Sequence, residues 1–260
     1  VALPAMLAEL GTEFDLTLID AVGVSEKPRP VEGSYMPCFL AGVGAGQAFA
    51  LGRGVPLVRT THQQGHAAAA LFAAKGEELF RRQVLLFHIS GGTTDLLLCD
   101  QVRQIRQLGT STDLYAGQAV DRLGVKLGFA FPAGAEVSRL AAQCPDAIRP
   151  KSSVRGMDCS LSGLENQCGA LLAQGKSPAY VCKYCLLCVA DTVVRMTRAA
   201  LEQYPGLPVV CAGGVMSSDI IRDWVQQRLP SVLFVPAQYA SDNAIGVSLL
   251  AAREAGLWLK

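Results

Sequence analysis

His62 and His66 stand four residues apart in His62-Gln63-Gln64-Gly65-His66, where a strand-like run gives way to an alanine-rich helix. If the helix already includes His62, both imidazoles share one face. That is the spacing of two ligands to one metal ion. The zincin motif HExxH has the same spacing but needs a glutamate after the first histidine as general base. Gln63 stands there instead, so that mechanism is excluded. Spacing alone leaves two readings open, a metal site and a structural pair. The third histidine, His88, sits in an apolar run and reads as a hydrogen-bonded core residue.

A second stretch with chemical potential is VLLFHISGGTTDLLLC, Val84 to Cys99. Two apolar runs without helical period flank Ser90-Gly91-Gly92-Thr93-Thr94-Asp95. They read as a β-hairpin whose glycine pair supplies positive φ at a tight turn. Such a turn, flanked by hydroxyls, leaves backbone N–H groups free for a phosphate; a plain hairpin is the competing reading. A later glycine pair, Gly213-Gly214, ends the buried-type run Leu207 to Val215. Asp242 opens a final predicted helix capped by Ser241, a position where the helix dipole favours a carboxylate, and locally it reads as a capping group. Cys182, Cys185 and Cys188 have the CxxCxxC spacing of iron–sulfur ligands. They follow a helical period, with no loop and no nearby fourth cysteine, and so read as small hydrophobes.

Positioning these groups requires an alternation of short strands and helices, and the chain supplies one. Its 260 residues are 50% hydrophobic, enough for one large domain or two small ones. Helices are predicted from Val1 to Leu10, closed by Gly11, and from Cys38 to Leu51, whose small residues suit tight packing or a subunit contact. Strands are predicted at Ala21–Val24 and Val55–Val58, followed by a helix to Phe80. After the hairpin come a strand from Val102 to Leu108 and helices at Tyr115–Leu127 and Ala135–Ala142. Pro145 to Asp158 reads as loop, then a helix to about Leu172 and a long one from Tyr180 to Leu201. Ser217 or Ser218 is expected to cap a helix ending at Leu229, before a strand at Val232–Val235 and a last helix closing at Gly256. The pattern is α/β.

No run of about 18 apolar residues is present, so no membrane span is expected. The first residues lack the features of a signal peptide and an initiator Met, so the chain is expected to begin inside a longer gene product. Nine cysteines without a disulfide-framework spacing suit a reduced, cytoplasmic protein. A net charge of +1 offers no compositional support for autonomous RNA binding.

Several motifs, in order, resemble one family. HQQGH (His62–His66) is similar to HxEGH, HISGGTT to VSGGHT, and Ala116-Gly117-Gln118-Ala119-Val120-Asp121 with Pro132-Ala133-Gly134 to the DDAAGEAFDK…PGG block. Cys159-Ser160-Leu161-Ser162-Gly163-Leu164 is similar to SFSGL, Ala212-Gly213-Gly214-Val215 to the GGV loop, and Ser241-Asp242-Asn243 to a C-terminal DN. Over essentially its whole length the chain resembles the TsaD/Gcp family, transferases that make threonylcarbamoyladenosine beside the tRNA anticodon, formerly described as O-sialoglycoprotein endopeptidases.

The resemblance implies an actin-like ATPase (ribonuclease H-like) fold, with two subdomains around a nucleotide and metal cleft. Residues 1–82 with 235–260 would form one subdomain, lacking the first phosphate loop, and 83–234 the other. It implies one divalent metal, iron or zinc, on His62, His66 and Asp242, an open set that marks a catalytic ion. It implies adenine nucleotide or acyl-adenylate contacts at Ile89, Ser90, Gly91, Gly92, Thr93, Asp121, Gly134, Gly213, Gly214 and Ser218. It also implies tRNA as a partner and a paralogous subunit of the same fold, met through the N-terminal helices. The chain departs from the family pattern at Gln64 and Gln118 (glutamates), Thr93 (histidine), Ser218 (asparagine), Glu165 (lysine) and the loop Lys27–Met36. These departures suggest a divergent paralogue with a changed substrate shell and little affinity for ATP. A catalytically silent nucleotide- or metal-binding partner subunit is the alternative. A metalloprotease is the weakest reading, because no residue is placed as a hydrolytic base.

Overall fold

A computed structural model describes residues 2–239 and 244–258; Ser241 and Asp242 lie outside them. The chain divides into two compact units, Val1–Phe80 with Asp242–Lys260 and Arg81–Ser241.

In the first unit α1 (Ala2–Glu13), β1 (Val22–Lys27), α2 (Pro37–Arg53), β2 (Leu57–Thr61) and α3 (His62–Lys75) follow in order. Gly11 does not close α1, which continues through it to Glu13, since a glycine inside a helix costs stability but does not force an end. β1 and β2 pair in parallel, Val22 beside Leu57 and Ser25 beside Thr60, with α2 as the crossover. Pro37 opens α2, where its fixed φ suits the first turn, and Gly54 ends it in the left-handed conformation. α3 is shorter than expected, because Gly76 terminates it and a 3-10 turn carries the chain to Arg81. The last helix, α9 (Ile245–Glu254), returns to this unit and packs along α3. Their backbones touch: a Cβ on Gly246 would lie 1.8 Å from the Gly65 carbonyl oxygen.

In the second unit β3 (Gln83–Ile89), β4 (Thr94–Asp100) and β5 (Gln104–Thr110) form an antiparallel meander. α4 (Ala116–Lys126), α5 (Gly134–Ala141), the short strands β6 (Ser153–Arg155) and β7 (Asp158–Ser160), α6 (Ser162–Ala173) and α7 (Pro178–Gln203) follow. Then come β8 (Val209–Ala212), α8 (Asp219–Arg228) and β9 (Leu233–Phe234). The five-stranded sheet has the order β5-β4-β3-β8-β9, with β8 parallel to β3. β3 and β4 are buried along most of their length, which is why both read as continuous apolar runs. Phe87, Leu96, Val120, Leu186, Val193 and Met216 lie in the core that joins sheet and helices.

Two expectations change here. The Gly91-Gly92 turn is a four-residue loop in which the Ser90 N–H donates to the Thr93 carbonyl at 2.9 Å, and neither glycine has positive φ. A longer loop closes the hairpin without left-handed residues. The stretch 145–158, expected as loop, contains β6, paired with β7 around Gly156 at φ 61°.

The α3–α9 contact can be tested. Gly246→Ala must push α9 off the Gly65 carbonyl and should cost about 1–3 kcal/mol in urea denaturation. Gly42→Ala, in the interior of α2 with open space around it, should be neutral or stabilising by up to about 1 kcal/mol.

Candidate functional site

Three segments of the second unit meet at the end of β3. Gly213, at φ 101°, brings its Cα so close that an added Cβ would stand 2.3 Å from the Ile89 carbonyl oxygen. Gly117, in the first turn of α4, would meet the Ser90 carbonyl oxygen at 2.5 Å. α4 is held there because its Ala116 N–H donates to the Thr94 hydroxyl at 2.8 Å. Beside this junction lies a cavity of about 480 Å³, lined among others by Ser90, Gly91, Asp121, Gly134, Gly214 and Ser218. That volume is in the range of small-molecule sites.

Ile89, Gly92, Thr93 and Gly213 do not line this cavity. Ile89 is buried in the core, and the Thr93 hydroxyl pairs with that of Ser90 at 2.9 Å. Asp121 turns its carboxylate to the Ala133 N–H at 2.8 Å, fixing the start of α5 and with it Gly134. Ser218 stands at the start of α8, yet its hydroxyl makes no capping bond; it accepts instead from Ser138 of α5 at 3.0 Å. Ser138 and Asp219 also line the cavity. Neither is marked in the sequence, because nothing local distinguishes a serine one turn into a helix from a surface serine.

Asp113 stands in the loop just before α4. Its carboxylate accepts from the hydroxyls of Ser160 and Ser162 at 2.5 and 2.6 Å, and from the N–H groups of Leu114 and Leu161 at 2.6 and 2.8 Å. Burial disfavours its charge, but the hydrogen bonds from Ser160, Ser162, Leu161 and Leu114 outweigh that and hold the carboxyl well below the usual carboxylate range. Asp113 thereby joins the loop before α4 to the segment that begins α6.

In the first unit, the His62 and His66 Nε2 atoms face each other at 3.1 Å, with ring centroids 4.4 Å apart. Phe39 of α2 stacks obliquely on His62, its centroid 5.6 Å away. Two imidazoles bound to one zinc at about 2.0–2.1 Å would place their nitrogens at about 3.4 Å; here the two Nε2 atoms stand closer, at hydrogen-bond distance, on one face of the helix. Gly65 lies within regular helix, and a Cβ there would stand 2.9 Å from the Val247 side chain of α9, so it is needed for packing rather than for a tight turn. Asp242 lies outside the described residues, and among those described no group of three potential ligands is placed around one point.

Gln64 and Gln118 both act at helix starts. The Gln64 amide oxygen accepts the Thr61 N–H at 2.9 Å while the Thr61 hydroxyl accepts the Gln64 N–H, a reciprocal cap. The Gln118 amide oxygen reaches the Tyr115 N–H at 3.4 Å in the same position of α4. Cys182, Cys185 and Cys188 are buried on α7, and Cys168 of α6 stands against them as the fourth sulfur that the sequence does not reveal. Burial pushes the Cys182 thiol up to about 12 and that of Cys188 to about 11, so the cluster packs as neutral thiols.

The fold is that of the actin-like ATPases. HypF of T. kodakarensis superposes with a TM-score of 0.62 at 14% identity, over 83% of this chain and 39% of that longer protein. The component A of (R)-2-hydroxyglutaryl-CoA dehydratase from Acidaminococcus fermentans does so with a TM-score of 0.50 at 16% identity, over 81% and 74% of the two chains. Residues 1–248 match the family model of TsaD, tRNA N6-adenosine threonylcarbamoyltransferase. The enzyme of that name from Streptococcus pneumoniae is 30% identical over 250 residues, 92% of this chain and 71% of the relative. That of Streptococcus suis is 30% identical over 252 residues, 91% and 74% of the two chains. The chain belongs to the TsaD family.

Asp113 gives this region a pH signature. Because its carboxyl is depressed in the fold, its contribution is complete above the unfolded value near 4 and is lost as pH falls through the folded one. Asp113→Ala should cost about 1 kcal/mol at pH 7, an amount kept small by solvent screening. In urea titrations the gap between wild type and variant should narrow below about pH 4; a gap unchanged at pH 2 would contradict this account.

Proposed function

We propose that the protein transfers a threonylcarbamoyl group from an acyl-adenylate to the amine of the adenosine beside the anticodon of tRNA, in the cytoplasm, using one divalent metal. The observation that carries this reading is the convergence of the His62 and His66 Nε2 atoms at 3.1 Å, in a chain of the transferase family. Two imidazoles suit iron or zinc, and the carboxylate of Asp242 is assigned as the third ligand. When bound, the ion would supply Lewis-acid polarisation of the carbamoyl carbonyl.

The chain's own residues have separate tasks. The cavity of the second unit is assigned to the adenylate. Gly91, Gly134 and Gly214 present backbone without side chains, so phosphate and sugar can approach closely. The Ser138–Ser218 hydroxyl pair offers both donor and acceptor capacity to the bound molecule. Asp121 holds the α5 start in place through Ala133. A paralogous subunit of the same fold is assigned to α1 and α2, which expose Met6, Leu10, Leu40 and Leu51.

Gln64 and Gln118 do not count against the enzyme. Each supplies a carbonyl oxygen to a helix cap, a task that glutamate and glutamine both perform.

Wild-type protein purified without chelator and offered zinc or iron at neutral pH should retain about one ion per chain. His66→Ala should weaken that binding by on the order of a hundredfold or more, judged from the 10–100-fold losses seen when groups behind the ligands are removed. Circular dichroism should be unchanged, because the ring is only half-buried. No metal on the wild type would overturn the reading. Metal binding without transfer to tRNA from supplied threonylcarbamoyl-adenylate would assign the silent role instead.

A further inference from the structure

The β6–β7 hairpin is tied down more firmly than two three-residue strands require, since so small a ribbon is marginal alone. The Met157 carbonyl sits on Gly109 of β5, where a Cβ would stand 1.8 Å away. The Thr112 N–H donates to the Cys159 carbonyl at 2.9 Å, and the Thr110 N–H to the Asp158 carboxylate at 2.9 Å. From α7, Arg195 donates to the Ser152 carbonyl at 2.8 Å and to that of Val154 at 3.4 Å. Asp113 holds the far end through Ser160.

Positive charge gathers in the segment that leads into this ribbon and on the part of α7 bonded to it. Lys151, Ser153 and Arg155 are exposed, while Ser152 and Val154 between them are half-buried, the alternation of an extended chain that shows one face to solvent. Arg149, Arg195 and Arg198 are exposed as well. Two acids close to the ribbon already have hydrogen-bond donors of their own, Asp158 in the Thr110 N–H and Asp191 in the Ser152 hydroxyl. Among the described residues Lys151 and Arg155 have no ion-pair or side-chain hydrogen-bond partner. Beside them is a cavity of about 530 Å³ lined by Thr112, Ser153, Arg155, Asp158, Cys159 and Ser160. The whole chain has a net charge of only +1, so this is a local clustering and not a general basicity.

Guanidinium forks and hydroxyls on a fixed backbone match phosphate oxygens. A row of cations along an extended strand matches a polymer of them, and contacts of this kind position a nucleic acid without reading its bases. We infer that the β6–β7 hairpin, with Arg149, Lys151, Arg155 and the α7 arginines Arg195 and Arg198, grips the phosphate backbone of the RNA substrate. This rests on the tRNA reading above and assigns it a surface.

The test is binding of unmodified tRNA, followed by fluorescence anisotropy at several salt concentrations, for the wild type and for Lys151→Gln/Arg155→Gln. Both side chains are exposed, so thermal stability and metal content should match the wild type. For every phosphate no longer neutralised, the slope of log affinity against log salt should fall by about 1, hence by about 2 for the pair. At ~0.1 M salt the affinity should fall on the order of tenfold or more. Equal slopes and affinities for the two proteins would overturn the surface and leave the transferase reading intact. No tRNA binding by the wild type at ~50 mM salt would overturn both. Polyglutamate bound as tightly as tRNA would make the patch a general polyanion site and overturn the RNA assignment.

Discussion

The second unit depends on the distance between backbones at the end of β3. Gly213 and Gly117 bring β8 and α4 against Ile89 and Ser90 so closely that no β-carbon fits. Packed interiors have little slack, and a single methyl at either place would displace backbone rather than a flexible side chain. The cavity exists because these segments converge: its floor is the hairpin loop, one wall begins with α4, and another begins with the turn after β8. In the first unit, Gly246 and Gly65 set the separation of α9 from α3, the helix on which His62 and His66 stand.

This constraint separates two kinds of departure from the family pattern. Substitutions at helix caps keep the geometry, because Gln64 and Gln118 still offer an oxygen to the N–H that needs one. Substitutions in the loop and cavity alter local chemistry. Thr93 now closes on Ser90, and Ser218 pairs with Ser138, so both hydroxyl groups have internal partners. The helix starts therefore have their backbone partners, while polar side chains of the loop and the cavity pair with one another. A ligand entering the cavity must compete with the Ser138–Ser218 bond or use the remaining lone pairs and hydrogen of that pair.

Much of this was legible in the sequence. Buried runs such as Val84–Ile89 and Leu96–Cys99 declare themselves, since strands covered on both faces need apolar residues throughout. The helical period of α7 outweighed its cysteine spacing, and the neutral thiols agree. What stayed hidden depends on distance in space. Asp113 and Ser162 are 49 residues apart, and no local pattern foretells that one carboxylate serves both α4 and α6. Cys168 joins the α7 cysteines only through helix packing. The β6 strand escaped because three residues with a single apolar side chain, Val154, carry no measurable alternation. Gly91 and Gly92 misled in the opposite direction: a glycine pair suggests left-handed turns, but the residue that needed to lack a side chain was Gly117, on the element packed against them.

Position in the second unit is fixed by polar groups, two of them behind the cavity and one, Asp121, in its lining. The Thr94 hydroxyl holds the start of α4, Asp113 holds the loop leading to it, and Asp121 passes the placement on to α5. Each replaces a backbone partner that a helix or strand end would otherwise lack. The same Asp113 carboxylate fixes Ser160 at the end of the basic ribbon, so the cavity wall and the ribbon share one anchor. A carboxylate gathering several N–H and O–H donors is fully engaged and a poor base. Asp113 therefore belongs to the frame, and its value lies in keeping the cavity wall and the ribbon of one unit in register.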